Sequence, residues 1–516
     1  MVAAQDVTGV QVPGPNRKLP GQPEDGGRAL PTAMLLVRAV PCAKELWPVA
    51  VALRESGRYR CVVVIGQEVL ARGVVGAGII ERYATAGFRV MDYGGDVLTG
   101  RAGWSTGPQP GRNGQPSSVQ AGKAVLVKLM TSRLGTVLGM QAVLDFRMAF
   151  RRHQDHVRTA RDLLVRERPD IIVMEEYGLL CWEAILAKVA GEAGIPTLML
   201  PSSDNGQVPE VTLQTHTWNG RAIPKETRRP LNRLVATAFP TWARTFRGRT
   251  MLKYPAAESL AAWRAGLMSD PWLPQRWVFK RAVLCERARA DIAREQHFRP
   301  DQLVLTGQAL MDGIFQTWQD AQRVRTEVLT GLGLDPGRRT VVFTIPQLAA
   351  LRALSPSEET AFLEFVLQAI SEVPDTQSVL SLYAAADVGS YQSLAARYGA
   401  IIATDLDVRQ LVAVCDLFVC VRSSIIWTAI ACQKPTLALD FWDVGHVNFY
   451  ECPGVTLVRE WQDLRPNLRR LLTDAHAYRA ATEQMRSVAP IWASGFDGHA
   501  TERTVSLIDE LVRERV

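Results

Sequence analysis

The sequence predicts an α/β protein in which two doubly wound domains face a cleft. Short apolar strands alternate with helical segments along most of the chain, and the strands are apolar at nearly every position. Strands of that kind are buried on both faces, as in a parallel sheet that helices cover on each side. A chain of 516 residues also exceeds the roughly 250–300 residues over which a single core grows. Two cores are therefore expected.

The first series of elements spans residues 33–330. It predicts strands at 33–40, 61–65, 171–174, 197–200, 282–285 and 303–306, and helices at 44–56, 179–193 and 288–296. Gly57 and Gly194 follow the first two helices, where glycine commonly ends a helix. A strand, a helix and a strand within about thirty residues form the parallel unit of a Rossmann-like domain. Residues 1–32, rich in proline, glycine and polar residues, are predicted to be a disordered tail.

A glycine-rich linker at 331–337 leads into a second series. This series predicts strands at 340–344, 378–382, 400–403, 416–421 and 436–439, and helices at 358–371, 391–398, 408–415 and 425–433. We place the second Rossmann-like domain at 338–498. A C-terminal helix at 499–516 is expected to cross back to the first domain.

The basic charge is concentrated in one segment. The chain carries a net charge of +7, but residues 221–281 hold thirteen lysines and arginines against three acids, so this segment carries +10 and the remainder −3. Four tryptophans are interleaved, at 242, 263, 272 and 277. We interpret this segment as an insertion with a solvated face, an anchor on an anionic membrane surface or a groove for an acidic polysaccharide. No recognition motif supports nucleic acid binding.

Several classes of protein are disfavoured. The eight cysteines form no C-x-x-C pair and lie mostly in apolar runs, which indicates buried thiols in a reducing compartment. Spanning segments and a signal peptide are not recognised, so we expect a cytoplasmic protein, at most peripheral on the inner face of the membrane. The phosphate loop of common nucleotide enzymes is missing, and the glycines at 73–78 are predicted to lie in a loop. His153 and His156 are predicted to lie on a solvated helix face, and no metal is expected.

Two serines mark the strongest local signal. Ser423 and Ser424 follow the strand at 416–421 and precede a helix, so free N–H groups and the helix dipole would suit phosphate oxygens. Arg422 could add a bidentate contact to a diphosphate. The alternative is that one serine simply caps the helix.

Three blocks carry a resemblance to a known family. The stretch 283–312 contains a V-x-T-G-x-x-x-x-D turn with Thr306, Gly307 and Asp312; the second and third blocks are the Ser-Ser helix with its Gln-Lys-Pro end and the run 497–503. The chain resembles the group of UDP-N-acetylglucosamine 2-epimerases and capsular-polysaccharide transferases over roughly 33–65 and 165–510. The resemblance implies the GT-B fold, an acceptor-side first domain and a second domain that binds the nucleotide sugar without metal or cofactor.

The chain departs from the epimerases at three places. Ile425 and Ile426 begin the stretch where the epimerases carry a Gly-Gly followed by paired acids, and Glu175 and Glu176 stand in place of their His-Gly-Asp. The glutamate expected after the next strand is absent around residues 200–203. The departures favour a glycosyltransferase of surface or capsular polysaccharide synthesis, with a UDP-linked or CMP/CDP-linked donor and a glycan or lipid-linked acceptor. The alternatives are a sugar-nucleotide 2-epimerase or hydrolase, and a non-catalytic binding protein of the same fold.

Sugar transfer with inversion predicts the roles of specific residues. The departing diphosphate needs stabilisation, and a carboxylate must take the acceptor proton. We predict Glu176 as that base, with Glu175 and Asp204 as the other candidates, because all three follow strands of the first domain. The predicted nucleotide and diphosphate contacts are Arg422, Ser423, Ser424, Thr306, Gly307, Gln347 and Asp440.

Overall fold

The structure of the protein is a computed structural model. It describes residues 30–98, 140–175, 181–201, 230–246, 248–268, 271, 277–296, 298–345, 348–349, 354–382, 388–404, 406–421, 423–442 and 447–515. The predicted disordered tail lies outside this range except for its last three residues, and Thr32 already belongs to the first strand.

Seven parallel strands form the first sheet. The hydrogen-bonded order is β3-β2-β1-β4-β5-β8-β9, so the first strand lies inside the sheet and later strands extend it on both sides. These strands are β1 (Thr32–Val37), β2 (Arg60–Ile65), β3 (Arg89–Asp92), β4 (Ile171–Met174), β5 (Thr197–Met199), β8 (Lys280–Val283) and β9 (Leu303–Leu305); β6 (Ala243–Phe246) and β7 (Arg249–Leu252) pair separately as an antiparallel hairpin. Valine, isoleucine and leucine fill the strands because both faces are covered by helices.

The helices of this half follow the strands in alternation. They are α1 (Val40–Glu55), α2 (Gln67–Leu70), α3 (Val74–Thr85), α4 (Met140–Glu167), α5 (Trp182–Glu192), α6 (Pro230–Ala238), α7 (Ala256–Arg264) and α8 (Glu286–Gln296). They enclose two apolar layers, one on each face of the sheet.

The second sheet repeats the same winding with six parallel strands. Its order is β12-β11-β10-β13-β14-β15, with β10 (Arg339–Thr344), β11 (Thr376–Ser381), β12 (Ile401–Ala403), β13 (Leu417–Cys420), β14 (Thr436–Leu439) and β15 (Val455–Val458). The helices from here to the C-terminus are α9 (Met311–Gln319), α10 (Ala321–Gly331), α11 (Pro356–Ser371), α12 (Val388–Arg397), α13 (Val408–Val414), α14 (Ile426–Ala431), α15 (Val447–Tyr450), α16 (Leu464–Thr473), α17 (Ala475–Trp492) and α18 (Ala500–Arg515). The predicted fold class is confirmed.

Two of the three glycines predicted to form a loop lie in a helix instead. α3 begins at Val74 and contains Gly76 and Gly78. A Cβ atom on Gly76 would lie 2.1 Å from the carbonyl oxygen of Val69, so glycine lets α3 approach the end of α2. The loop prediction holds for Gly73, which lies in the turn before α3 with a φ of +55°. It was wrong for Gly76 and Gly78, and Gly76 permits close helix packing.

The predicted solvated face of α4 is also wrong at His153. This side chain is fully buried, and its Nε2 lies 3.0 Å from Glu258 Oε1 of α7. Arg152 donates to both oxygens of the same carboxylate, at 2.7 and 2.6 Å. Burial lowers the pKa of the neighbouring His156. The contacts of Glu258 with His153 and Arg152 therefore hold α7, which belongs to the basic insertion, against α4 of the first domain.

Other residues of the insertion are built into the fold as well. Trp242 is buried and stacks on Phe239, with ring centroids 4.1 Å apart. Lys280 and Arg281 belong to β8, where Arg281 is buried. The described part of this segment is a packed substructure, and only some of its cations face solvent.

The chain passes between the two halves at two places, and these lie in contact. Gly307 has a φ of +74°, and a Cβ there would lie 2.1 Å from the carbonyl oxygen of Gly495. Arg503 donates to the carbonyl oxygens of Thr306 at 2.8 Å and Gly495 at 3.3 Å, and pairs with Asp497 at 2.7 Å. We call this set of contacts the crossing joint.

Asp312 adds to the crossing joint by capping α18. Its carboxylate accepts hydrogen bonds from the backbone N–H groups of Ala500 at 2.9 Å and Thr501 at 2.8 Å. α18 then packs on α1 and β4, as expected of a helix that crosses back to the first half.

A buried ion pair also connects the halves. Arg409 of α13 donates to Glu45 of α1 at 2.6 Å, and Gln308 donates to the other oxygen of the same carboxylate at 2.6 Å. Burial raises the pKa of Glu45 even though Arg409 opposes that shift. Because an unpaired buried carboxylate is costly, Arg409 and Gln308 keep α1 and α13 in register across the two halves.

The crossing joint predicts a specific loss of stability. Arg503→Met keeps the apolar stem but leaves the carbonyl oxygens of Thr306 and Gly495 without their charged donor. Because each lost charge-assisted hydrogen bond costs about 1.5–3 kcal/mol, we expect the free energy of unfolding in urea to fall by roughly 2–4 kcal/mol. Arg513→Met, on the exposed end of the same helix, is the control and should change it by less than about 0.5 kcal/mol. Equal effects of the two substitutions would contradict the assigned role of Arg503.

Candidate functional site

The carboxyl ends of the two sheets carry the candidate side chains. Within three residues of a strand end lie Arg38, Gly66 and Glu175 in the first sheet, and Ser423 and Asp440 in the second. The Glu45–Arg409 pair brings these edges together, because α1 and α13 both begin just after a strand ends. Ligands of open parallel sheets bind at this edge. The candidate site is therefore the cleft between the two carboxyl edges.

Four of the predicted site residues lie outside the described residues. They are Glu176, Asp204, Gln347 and Arg422. Their assigned roles stay predictions.

Glu175 lies beneath the surface of the cleft edge. It directly follows β4 and is 9% exposed. The Cys42 thiol hydrogen-bonds to it, and burial together with this acid raises the pKa of Cys42. Glu175 is therefore an inward-facing side chain.

The serine segment uses its N–H groups within the chain. The N–H of Ile425 donates to Ser423 Oγ at 3.3 Å, and the N–H groups of Ile426 and Trp427 donate to the carbonyl oxygens of Ser423 at 3.2 Å and Ser424 at 3.3 Å. α14 has only six residues, all buried. Three N–H groups on which the phosphate interpretation depended are thus already bonded within the chain, and the Ser423 hydroxyl accepts one of them. Both serine side chains are half-buried.

Thr306, Gly307 and Asp440 are buried in the structure. The Thr306 hydroxyl donates to the Gly307 carbonyl at 2.8 Å, and both residues belong to the crossing joint. Asp440 follows β14, and its N–H donates to Val458. The turn that carries the family resemblance therefore packs between the halves. The nucleotide contacts assigned to Thr306, Gly307 and Asp440 stay predictions.

The structure adds a charged cluster that the sequence did not single out. Arg38, directly after β1, lies 3.5 Å from Glu183 of α5 and 3.5 Å from Glu68 of α2. Glu183 is 1% exposed whereas Arg38 is 31% exposed, so the guanidinium reaches the cleft edge and the Glu183 carboxylate lies behind it. We call Arg38, Glu68 and Glu183 the Arg38 cluster.

Burial sets the protonation of Glu183. It raises the pKa of this carboxyl to about 7, although the Cys181 thiol and Arg38 oppose the shift. A carboxyl that titrates near neutral pH is suited to proton exchange at that pH. The arrangement can bind an anionic group at Arg38, whose guanidinium is always charged, while Glu183 at 3.5 Å orients that side chain.

One sequence signal could have revealed Arg38 but none marks Glu183. Arg38 is the first charged residue after an otherwise apolar strand, which is the position of ligand contacts in doubly wound sheets. Glu183 looks like an ordinary acid in the first turn of a helix. A Cβ on Gly66 would lie 3.1 Å from the indole nitrogen of Trp182, so glycine lets the end of β2 approach the start of α5.

Other chemistry is limited in the described part of the chain. It contains no group of three or more His, Cys, Asp or Glu that could hold a metal ion. No described helix is long and apolar enough to cross a membrane. All eight cysteines are free thiols, and all but Cys181 are buried.

Glu183 predicts a pH dependence of stability. Its pKa is about 7 in the folded chain, against 4.5 for an ordinary glutamate carboxyl. The folded state therefore binds the extra proton between these values, and its stability falls as pH rises through this window. In the wild type the free energy of unfolding should fall by on the order of 3 kcal/mol between pH 4.5 and 7 through this group, and Glu183→Gln should remove that decrease. Urea unfolding across this range measures it; Glu192→Gln, at the exposed end of the same helix, should keep the wild-type slope. A wild-type slope in Glu183→Gln would contradict the assignment.

Comparison with known proteins identifies the fold. No protein-family model matches the chain, and no curated protein matches it in sequence. The UDP-GlcNAc 2-epimerase of Neisseria meningitidis, solved with UDP-GlcNAc, is 11% identical, and the match covers 93% of this chain and 100% of that one with a TM-score of 0.50. A Listeria monocytogenes protein assigned as a UDP-N-acetylglucosamine 2-epimerase is 13% identical over 94% of this chain and 98% of its own, also with a TM-score of 0.50. At such low identity the likeness extends to the fold alone: the chain has the GT-B fold, with two Rossmann-like domains.

Proposed function

We propose that the protein is a GT-B glycosyltransferase that takes a sugar from a nucleotide-activated donor. The observation that carries the proposal is the Arg38 cluster, which presents a cation beside a neutral-pH acid at the edge where the two sheets meet. A nucleoside diphosphate carries negative charge at its phosphates, and a guanidinium can bind two phosphate oxygens at once. The fold supports binding in the same cleft.

The proposed reaction assigns each proton and bond. A hydroxyl oxygen of the acceptor forms a bond to the anomeric carbon, the bond from that carbon to the diphosphate oxygen breaks, and the nucleoside diphosphate leaves with the electron pair. Glu176 takes the hydroxyl proton, with Asp204 as the other candidate base. Arg38, Arg422 and Ser424 stabilise the charge that develops on the leaving oxygen. Glu183 positions Arg38.

Surface or capsular polysaccharide synthesis is the proposed setting, with a glycan or lipid-linked acceptor. The insertion supports a membrane-bound acceptor because two exposed apolar side chains, Leu234 and Trp263, lie beside the exposed Arg233 and Arg264. Trp263 is held against Phe239, with ring centroids 5.6 Å apart. Apolar side chains flanked by cations are typical of surfaces that bind anionic lipid.

A sugar-nucleotide 2-epimerase is the second candidate function. The fold likeness to the UDP-GlcNAc 2-epimerase solved with UDP-GlcNAc favours it. An epimerase changes the donor without an acceptor, whereas a transferase releases nucleotide only when an acceptor is present. Measuring nucleotide release with and without added glycan or lipid acceptor therefore separates the two.

Nucleotide binding tests both enzyme proposals. Isothermal titration should show binding of UDP, CDP or CMP to the full chain. Arg38→Gln should weaken it by roughly 10- to 100-fold because a charge-assisted contact is lost, and Ser424→Trp should block the pocket. Arg58→Gln, at an exposed arginine paired with Asp509, is the matched control and should bind as the wild type does.

Two outcomes would count against the proposal. If no nucleotide binds to the wild type, the chain is a non-catalytic protein of the same fold. If Arg38→Gln and Ser424→Trp both bind like the wild type, the cleft assigned here is not the nucleotide site.

Membrane binding is tested separately from catalysis. Vesicles that contain phosphatidylglycerol should sediment the protein, and phosphatidylcholine vesicles should not. Leu234→Ser combined with Trp263→Ala should weaken this binding by at least about tenfold, since two exposed apolar side chains that would insert into the lipid are lost. Val165→Ser removes an equally exposed apolar side chain from α4 and should have no effect. Binding that depends on neither Leu234 nor Trp263 would exclude this surface.

A further inference from the structure

A second polar cavity lies at the opposite edge of the second sheet. Its volume is about 410 Å³, and it is bordered by the start of β10, the loop before it, the end of α13 and Tyr478 of α17. Since β10 runs from Arg339 to Thr344 and each residue advances about 3.3 Å, the cavity lies roughly 17 Å from the carboxyl edge. It is therefore separate from the cleft.

Positive charge dominates the lining of this cavity. Four cationic residues and one acid border it: Arg325, Arg338, Arg339, Lys434 and Asp416. The elements that supply them come from separate parts of the chain, so the fold gathers this charge and the sequence does not show it as a cluster. We call these residues the basic pocket.

Two of these residues form the frame of the basic pocket. Arg325 donates to the carbonyl oxygens of Pro336 at 2.9 Å, Val414 at 2.6 Å and Arg338 at 2.6 Å. The Asp416 carboxylate accepts from Arg325 at 2.9 Å. These bonds hold the loop before β10 against the end of α13.

Asp416 has its negative charge already paired. Besides Arg325, it accepts from Arg339 Nη1 at 3.0 Å and from the N–H of Thr340 at 2.8 Å. Asp335, on the neighbouring turn, is used to accept from the N–H of Gly337 at 2.8 Å. Four cationic residues therefore face two carboxylates, Asp416 and Asp335, and a net positive charge remains.

Tyr478 adds a polar group to the same wall. The guanidinium of Arg339 lies 5.3 Å from the centre of its ring, which holds both side chains in place. Burial raises the pKa of Tyr478 to about 12, so its hydroxyl keeps its proton at neutral pH. The pocket thus offers guanidinium, ammonium and hydroxyl donors.

We propose that the basic pocket binds a phosphate dianion, either free or carried by a small phosphomonoester. Guanidinium groups bind phosphate oxygens in pairs, and a lysine adds a point charge. A volume of about 410 Å³ is within the range of roughly 300–1,000 Å³ that is typical of small-molecule sites. The position away from the cleft allows this anion and a nucleotide to be bound at the same time.

Isothermal titration of the full chain with inorganic phosphate and with glucose 1-phosphate tests this proposal. Both should bind if the pocket recognises phosphate alone, and tighter binding of the ester identifies a sugar phosphate as the ligand. Arg338→Gln and Lys434→Gln should each weaken binding by about tenfold, because one charge-assisted contact is lost in each. Arg338 is exposed, so its substitution tests the site even if Lys434→Gln lowers stability.

Two controls separate this site from the cleft. Arg323→Gln, at an exposed arginine of α10 paired with Asp320 and Glu327, should bind phosphate like the wild type. Arg38→Gln should also bind phosphate normally, and Arg338→Gln should keep wild-type nucleotide affinity, so a failure of the proposed catalytic function leaves this test intact. The proposal is overturned if the wild type does not bind phosphate. It is also overturned if Arg338→Gln and Lys434→Gln both bind phosphate as tightly as the wild type does.

Discussion

Arg503 holds together the two places where the chain passes between its halves. The first passage follows β9 at Thr306 and Gly307, and the second precedes α18 at Gly495. One guanidinium reaches the carbonyl oxygens of both, and Asp312 fixes the start of the helix that follows. Because the two connections are bonded to each other, the halves are joined at one compact point. The geometry of the cleft depends on this point.

The Glu45–Arg409 pair is a second constraint on how the halves meet, because it buries two charges that must stay paired. A carboxylate buried at 6% exposure is stable as an anion only while Arg409 and Gln308 stay in contact with it. Separating α1 from α13 would expose these charges to water, and their hydration would offset part of the free energy lost with the ion pair. The pair therefore specifies how the halves meet more than it stabilises them, which is a known use of buried ions.

The sequence predicted the alternation of strands and helices because apolar, β-branched runs have few other ways to be buried. It also predicted the GT-B fold from motifs that turn out to be structural: Thr306, Asp312 and Arg503 hold the crossing joint. Burial of single polar side chains was not predictable. Glu183 and His153 look like solvated helix residues until the partner helices are in place, since periodicity reports an average face and not the depth of one side chain.

The position of α18 has a consequence for synthesis of the chain. Its residues Val505, Ile508 and Leu511 complete an apolar layer that begins at Ala33 and Leu35 of β1. A ribosome makes the N-terminal half first, and domains generally fold as they emerge. Here one apolar face of the first sheet is covered by α18, which has sixteen residues and follows the second half in the chain. That face therefore stays uncovered while the second half is translated. That interval is when the nascent chain is most exposed to aggregation and most dependent on chaperones.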